Sequence, residues 1–149
     1  MTAAQRRRLD VLEQTRSQRI EAHWEELTSR ALRMLTPQHT AAIRNYLSCV
    51  STSDPVAAFE QLQVWGADAA KRLNVSPLGE AGLRWWTLAA ESRQPVFPVA
   101  GPEVVTDLER HAAQWQAASE AADSSLAVLT AGVAALWAWW AALAQVRGA

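Results

Sequence analysis

At 149 residues, half of them apolar, the chain is long enough for one domain with its own core and too hydrophobic to be disordered. A net charge of −1 argues against a general polyanion binder, and a single cysteine excludes an internal disulfide and suits a reducing compartment. Alanine is abundant while valine and isoleucine are modest, which favours helix over strand throughout.

The N-terminal MTAAQRRRLD lacks the apolar stretch of a secretory signal, so the expected location is cytoplasmic. Four pairs, Thr36-Pro37, Asp54-Pro55, Ser76-Pro77 and Gly101-Pro102, each set an N-cap residue before a proline. Proline suits the first helical position, where its fixed φ is already helical and its missing N–H costs nothing, and the residue before it is pushed out of the helix. These pairs predict helices near 4–34, 37–51, 55–73, 77–93 and 102–146. The expected fold is therefore all-α, a five-helix bundle with a long C-terminal apolar helix. One domain overall is expected, made of an amphipathic bundle over 1–94, a Pro-rich connector over 95–101 and the long helix over 102–149.

The first helix places Leu9, Leu12, Ile20, Trp24, Leu27, Ala31 and Met34 on one side. Eight arginines fall within the first 44 residues, and Arg6, Arg7, Arg8, Arg16 and Arg19 are the candidates for nucleic-acid contact. Asp10, Glu13, Glu21, Glu25 and Glu26 interrupt them, several at helical ion-pair spacing. An exposed helix laced with ion pairs is the preferred reading. Near the end of the second helix, Cys49 is expected to be a buried, inert thiol. The third helix repeats the apolar pattern with Val56, Phe59, Leu62, Val64 and Trp65, and Asn74 fits a stop. In the fourth, Leu83, Trp86 and Leu88 are expected to face the core, which leaves Trp85 as the exposed aromatic of an interface. Three prolines between Gln94 and Pro102 then give an extended strap, with Phe97 and Val99 pinned on the bundle.

The last quarter dominates the sequence. From Ser124 to Val146 no residue is charged, and the run holds Trp137, Trp139 and Trp140. Positions Val105, Leu108, Ala112, Trp115, Ser119, Ala122, Leu126, Leu129, Val133, Leu136, Trp140 and Leu143 alternate steps of three and four, a heptad stripe. One continuous helix of about 45 residues would be nearly 70 Å long, so part of it would project from a domain of this size. Leu129, Val133, Leu136, Trp140 and Leu143 form the expected buried seam, with Trp137 and Trp139 on its flanks against another chain or lipid. The run is also long enough to cross a bilayer. Its alanine content and inboard tryptophans weaken that reading, so a span over 124–146 is the alternative.

Chemistry is sparse. Glu103, Asp107 and His111 step by four along one face, half of a metal site, and the nearest companion, His23-Trp24-Glu25-Glu26, runs in the wrong order for the second half. No phosphate loop, GxSxG or CxxC occurs. No catalytic residue, metal or cofactor is expected. The sequence reads as a non-enzymatic structural or adaptor subunit that associates with a partner protein or with itself through its apolar C-terminal helix. A membrane-anchored protein and a helical subunit of a nucleic-acid-binding assembly are the alternatives.

Overall fold

The computed structural model describes residues 2–49, 55–91 and 98–148. It is all-α: α1 (Ala3–Met34), α2 (Pro37–Cys49), α3 (Pro55–Arg72), α4 (Glu80–Glu91), α5 (Pro102–Ala121) and α6 (Ser124–Gly148), with no strand among the described residues. Three of the four X-Pro pairs start a helix at the proline, as Pro37, Pro55 and Pro102 open α2, α3 and α5. At α2 the cap is the Thr36 hydroxyl, which accepts the N–H of His39 at 3.1 Å. The fourth pair differs. Pro77 stays outside the helix and α4 begins three residues later, because its cap comes from a neighbouring helix.

The long C-terminal helix is two helices. Ala122 adopts an extended backbone, with ψ at 155°, and ends α5. Asp123 then caps α6: its carboxylate accepts the N–H of Ser125 and of Leu126, each at 3.1 Å, and the Ser125 hydroxyl at 2.7 Å. The chain reverses there, and α6 lies antiparallel on α5, bringing Trp137 beside His111 and Gly148 beside the Ala100 carbonyl. This overturns the single projecting helix. A cap worth about 1 kcal/mol selects the break point, while burying α6 on α5 removes far more apolar surface from water than an extended rod does.

α6 is the centre of the molecule. α5, α2 and α1 all pack on it, and α4 packs on α5. One core cluster joins Leu27 and Ala31 of α1, Trp85 and Ala89 of α4, Leu108 of α5 and Leu143 of α6. A second joins Tyr46, Ala69, Trp115, Val133 and Ala134. Gly132 lets α2 come close, since a Cβ there would collide with the Tyr46 side chain. α3 stops at Asn74, which takes φ of 57° while the Val75 N–H reaches back to the Ala70 carbonyl at 2.9 Å, a Schellman end.

Among the described side chains of α1, those that enter this core are Leu27 and Ala31, near its C-terminal end. From Ala3 to Glu26 its described side chains are exposed, apart from half-buried Thr15. The helix starts with a capping box between Thr2 and Gln5. In the Pro-rich connector, Pro95, Val96 and Phe97 lie outside the described residues. Val99 is exposed rather than pinned, whereas Ala100 is buried.

Candidate functional site

The C-terminal residues split into two groups. Val133 and Leu143 are buried, whereas Leu129, Leu136 and Trp140 are half-buried. Trp137 and Trp139, expected on a contact with another chain or lipid, are also half-buried and pack against the chain's own core. Trp137 meets His111 edge to face with ring centroids 4.7 Å apart and Trp86 at 5.9 Å. The hairpin is the reason: folding α6 back on α5 turns the flank of the heptad seam toward α5 and α4. Trp139 packs on Trp140 at 5.4 Å, and its indole Nε1 is covered without a hydrogen-bond acceptor.

Trp85 reverses its expected role. It is 3% exposed, its Nε1 donates to the Pro98 carbonyl at 2.8 Å, and its ring stands edge-on to Trp140 at 6.1 Å. Trp86 is half-buried beside it, and Leu83 and Leu88 are exposed. The inner face of α4 runs through Ala81, Trp85 and Ala89, spaced four apart, so the indole that seemed to point outward anchors the helix.

The polar residues of α5 do structural chemistry. Asp107 accepts the N–H of Gly79 and the N–H of Gly82, both at 3.0 Å, and so caps α4 from another helix. Arg110 closes on the same carboxylate at 2.6 Å. Partial burial opposes the charge, but the Arg110 guanidinium and the two backbone donors outweigh it and hold the carboxyl below its ordinary value. His111 is buried; its Nε2 accepts the Trp115 indole N–H at 3.1 Å. Burial, reinforced by Arg110, pushes its pKa down against the opposing pull of the Ser76 backbone and Asp107. Nδ1 therefore carries the proton. The Ser76 backbone raises the pKa as a hydrogen-bond partner of the ring does, although it falls outside strict hydrogen-bond geometry at Nδ1. With Glu103 exposed and these two residues engaged elsewhere, the trio does not converge, and no group of three metal-ligating side chains forms among the described residues. Cys49 is exposed rather than buried.

The basic residues lie apart from this core. Arg6, Arg7, Arg8, Arg16 and Arg19 are all exposed on α1. The ion pairs among the described residues join Arg72 to Asp68, Arg84 to Glu80 and Arg110 to Asp107, so the first helix is solvated, not laced. Beside the arginines, Leu9, Val11 and Leu12 are exposed, the last two at 60% and 64%. A cleft of about 350 Å³ opens between the α1–α2 turn and the α5–α6 hairpin, lined by Ala112, Ala134, Ala138 and Ala142 with His39 and Glu109. Its volume is near the lower end of small-molecule sites, about 300–1,000 Å³.

Sequence reasoning missed Asp107 as a cap and Asp123 as a helix start. Asp-Ser-Ser after two alanines was a visible N-cap signal for the second; the first depends on tertiary packing. No family model matches the chain, and neither a curated protein nor a solved structure does.

Proposed function

We propose that the protein is a non-enzymatic helical adaptor or structural subunit that works by binding another protein chain or its own copy. The observation that carries this reading is on the first helix, where Leu9, Val11 and Leu12 are exposed beside Arg6, Arg7 and Arg8. Such side chains on a surface not used by the fold suit a contact with a partner. α6 contributes less to association than its composition suggests, since Trp137 and Leu143 serve the chain's own core and Leu129, Leu136 and Trp139 offer only half-covered edges. The engagement of Asp107 and His111 in helix capping and ring packing supports the non-enzymatic part of the reading.

The test is the size of the chain in a detergent-free extract of the cells that make it. A complex larger than the 16.3 kDa chain, disrupted by Leu9→Asp/Leu12→Asp, supports the reading. A chain that elutes as a monomer from that extract overturns it.

A second reading rests on α6, which among the described residues is the one helix long and apolar enough to cross a membrane. In that reading the hairpin opens at Asp123 and α6 inserts as an anchor. Resistance to alkaline carbonate extraction supports it, and complete release into the soluble fraction removes it.

A further inference from the structure

Gln5, Leu9, Leu12, Arg16 and Arg19 alternate steps of four and three along α1. At about 100° per residue they fall within about 80° of the helix circumference, a single heptad stripe about 21 Å long. Arg8 borders the stripe and Glu13 lies at its other edge, while Asp10 is on the far side and Val11 is off it. All five side chains of the stripe are exposed, and a groove of about 460 Å³ runs among Gln5, Arg8, Leu9 and Leu12. The stripe is on the same side of the helix as the core residue Leu27, which follows Leu9 by about five full turns. The side of α1 that meets the bundle at Leu27 thus shows leucine and arginine to solvent nearer the N-terminus.

We propose that this stripe docks a helix of another protein in which two apolar residues are followed, at the same four-three spacing, by two carboxylates. The leucines alone fit any apolar face; the arginines choose the partner. Arg8 and Arg19 have no carboxylate three or four residues away on their own helix, and Arg16 has only Glu13. Neither Arg16 nor Arg19 enters an ion pair among the described residues, and the two stand one turn apart as like charges. Carboxylates on a facing helix answer both, in the paired geometry that a guanidinium favours. A second α1 does not supply them. Set parallel and in register, it puts Arg16 on Arg16 and Arg19 on Arg19. Reversed so that Leu9 meets Leu12, it puts them against Gln5 and Thr2, which carry no charge. Two leucines are also a narrow apolar sector for a helix lying on a bilayer, where arginines belong on the opposite, polar face. A facing helix uses both residue types at once.

The pairing rests on the adaptor reading and gives its partner a chemistry. It is tested on the full chain by fluorescence anisotropy with a labelled synthetic helix of about three heptads, bearing two leucines and then two glutamates at the facing positions. A second peptide carries lysines in place of the glutamates. The native chain is expected to bind the glutamate peptide about tenfold more tightly than the lysine peptide. Arg16→Glu/Arg19→Glu should invert that preference, and Leu9→Asp/Leu12→Asp should abolish binding of both. Because the substitutions are on exposed positions, circular dichroism of each variant should keep the helical signal of the native chain. Equal binding of the two peptides, binding of neither, or a preference that Arg16→Glu/Arg19→Glu leaves in place overturns the pairing. So does tighter binding of phosphatidylserine vesicles or polyuridylate, lost in the same variant, which gives the face to a lipid surface or a nucleic acid. If the peptides show no preference yet the complex in cell extract is still broken by Leu9→Asp/Leu12→Asp, the pairing fails and the adaptor reading stands. A chain that is monomeric in that extract ends both.

Discussion

The Asp107 carboxylate on α5 accepts the N–H of Gly82 on α4 at 3.0 Å, and a Cβ at Gly82 would run into the oxygen that makes this bond. Gly82→Ala should therefore destabilise the protein by about 1–3 kcal/mol, although alanine is intrinsically the better helix former by about 1 kcal/mol. Removing the carboxylate reverses the sign. In an Asp107→Ala background, which itself costs about 1.5–3 kcal/mol for the lost charged hydrogen bonds, adding Gly82→Ala should stabilise. Urea midpoints of the four proteins of that cycle decide the matter, and an additive result refutes the capping contact.

Gly132 makes a comparable demand on the other side of the core. Its Cβ position is filled by the side chain of Tyr46, which is buried and cannot swing clear. Gly132→Ala is expected to push α2 away from α6 and cost about 1–3 kcal/mol. The check is a lower denaturation midpoint at an unchanged denaturant slope, which separates lost stability from a changed denatured state.

Stability should depend on pH through His111. Its folded pKa lies below the ordinary 6.5, so the unfolded chain binds the proton first and unfolding is favoured as the pH falls. The stabilisation is fully present above about 6.5 and is lost as the pH drops from there toward the folded value, giving a positive slope of stability with pH. Asp107, also held below its ordinary value of 3.8, acts with the same sign in a more acidic window. Thermal melts across the acid range should show the upper step, and His111→Phe should flatten it while costing about 1 kcal/mol for the acceptor lost by Trp115. An unchanged upper step in that variant would contradict the assignment.

Trp139 offers a test in the opposite direction. Its indole N–H is covered but unpaired, which costs about 1–3 kcal/mol in an apolar setting. Trp139→Phe keeps most of the ring contact with Trp140 and deletes the unpaired donor. The variant is expected to melt at or above the native temperature, and a drop of several degrees would reveal a donor that does have a partner.

Much of this fold was legible because proline and capping residues act locally. Thr36-Pro37 and Gly101-Pro102 mark helix starts regardless of context, and Asn74 ends α3 as its left-handed tolerance suggests. The heptad stripe holds on α5, where Leu108, Ala112, Trp115 and Ser119 are buried, but on α6 only Val133 and Leu143 of its positions are buried, while Leu126, Leu129, Leu136 and Trp140 are half-buried. What the stripe could not convey was its partner. A seam continuous in sequence is equally satisfied when one half folds onto the other, and only the cap at Asp123 distinguishes the cases. Trp85 departs from its expected exposed place for a similar reason, although Trp86 does pack against the core as expected. Adjacent residues point about 100° apart on a helix, and which of them faces inward depends on how α4 lies against α5 and α6 rather than on either side chain.

The placement of α6 has a consequence for how the protein comes into being. Synthesis runs from α1 to α6, yet α1, α2 and α5 all pack on α6. While the earlier helices are emerging, Tyr46 and Trp115 lack the Val133 and Ala134 that cover them in the finished molecule. The nascent chain therefore carries uncovered aromatic surface, exposed to chaperones and to neighbouring chains, until α6 is free to turn back at Asp123. A ribosome that stalls before the codon for Asp123 holds helices without the centre that assembles them.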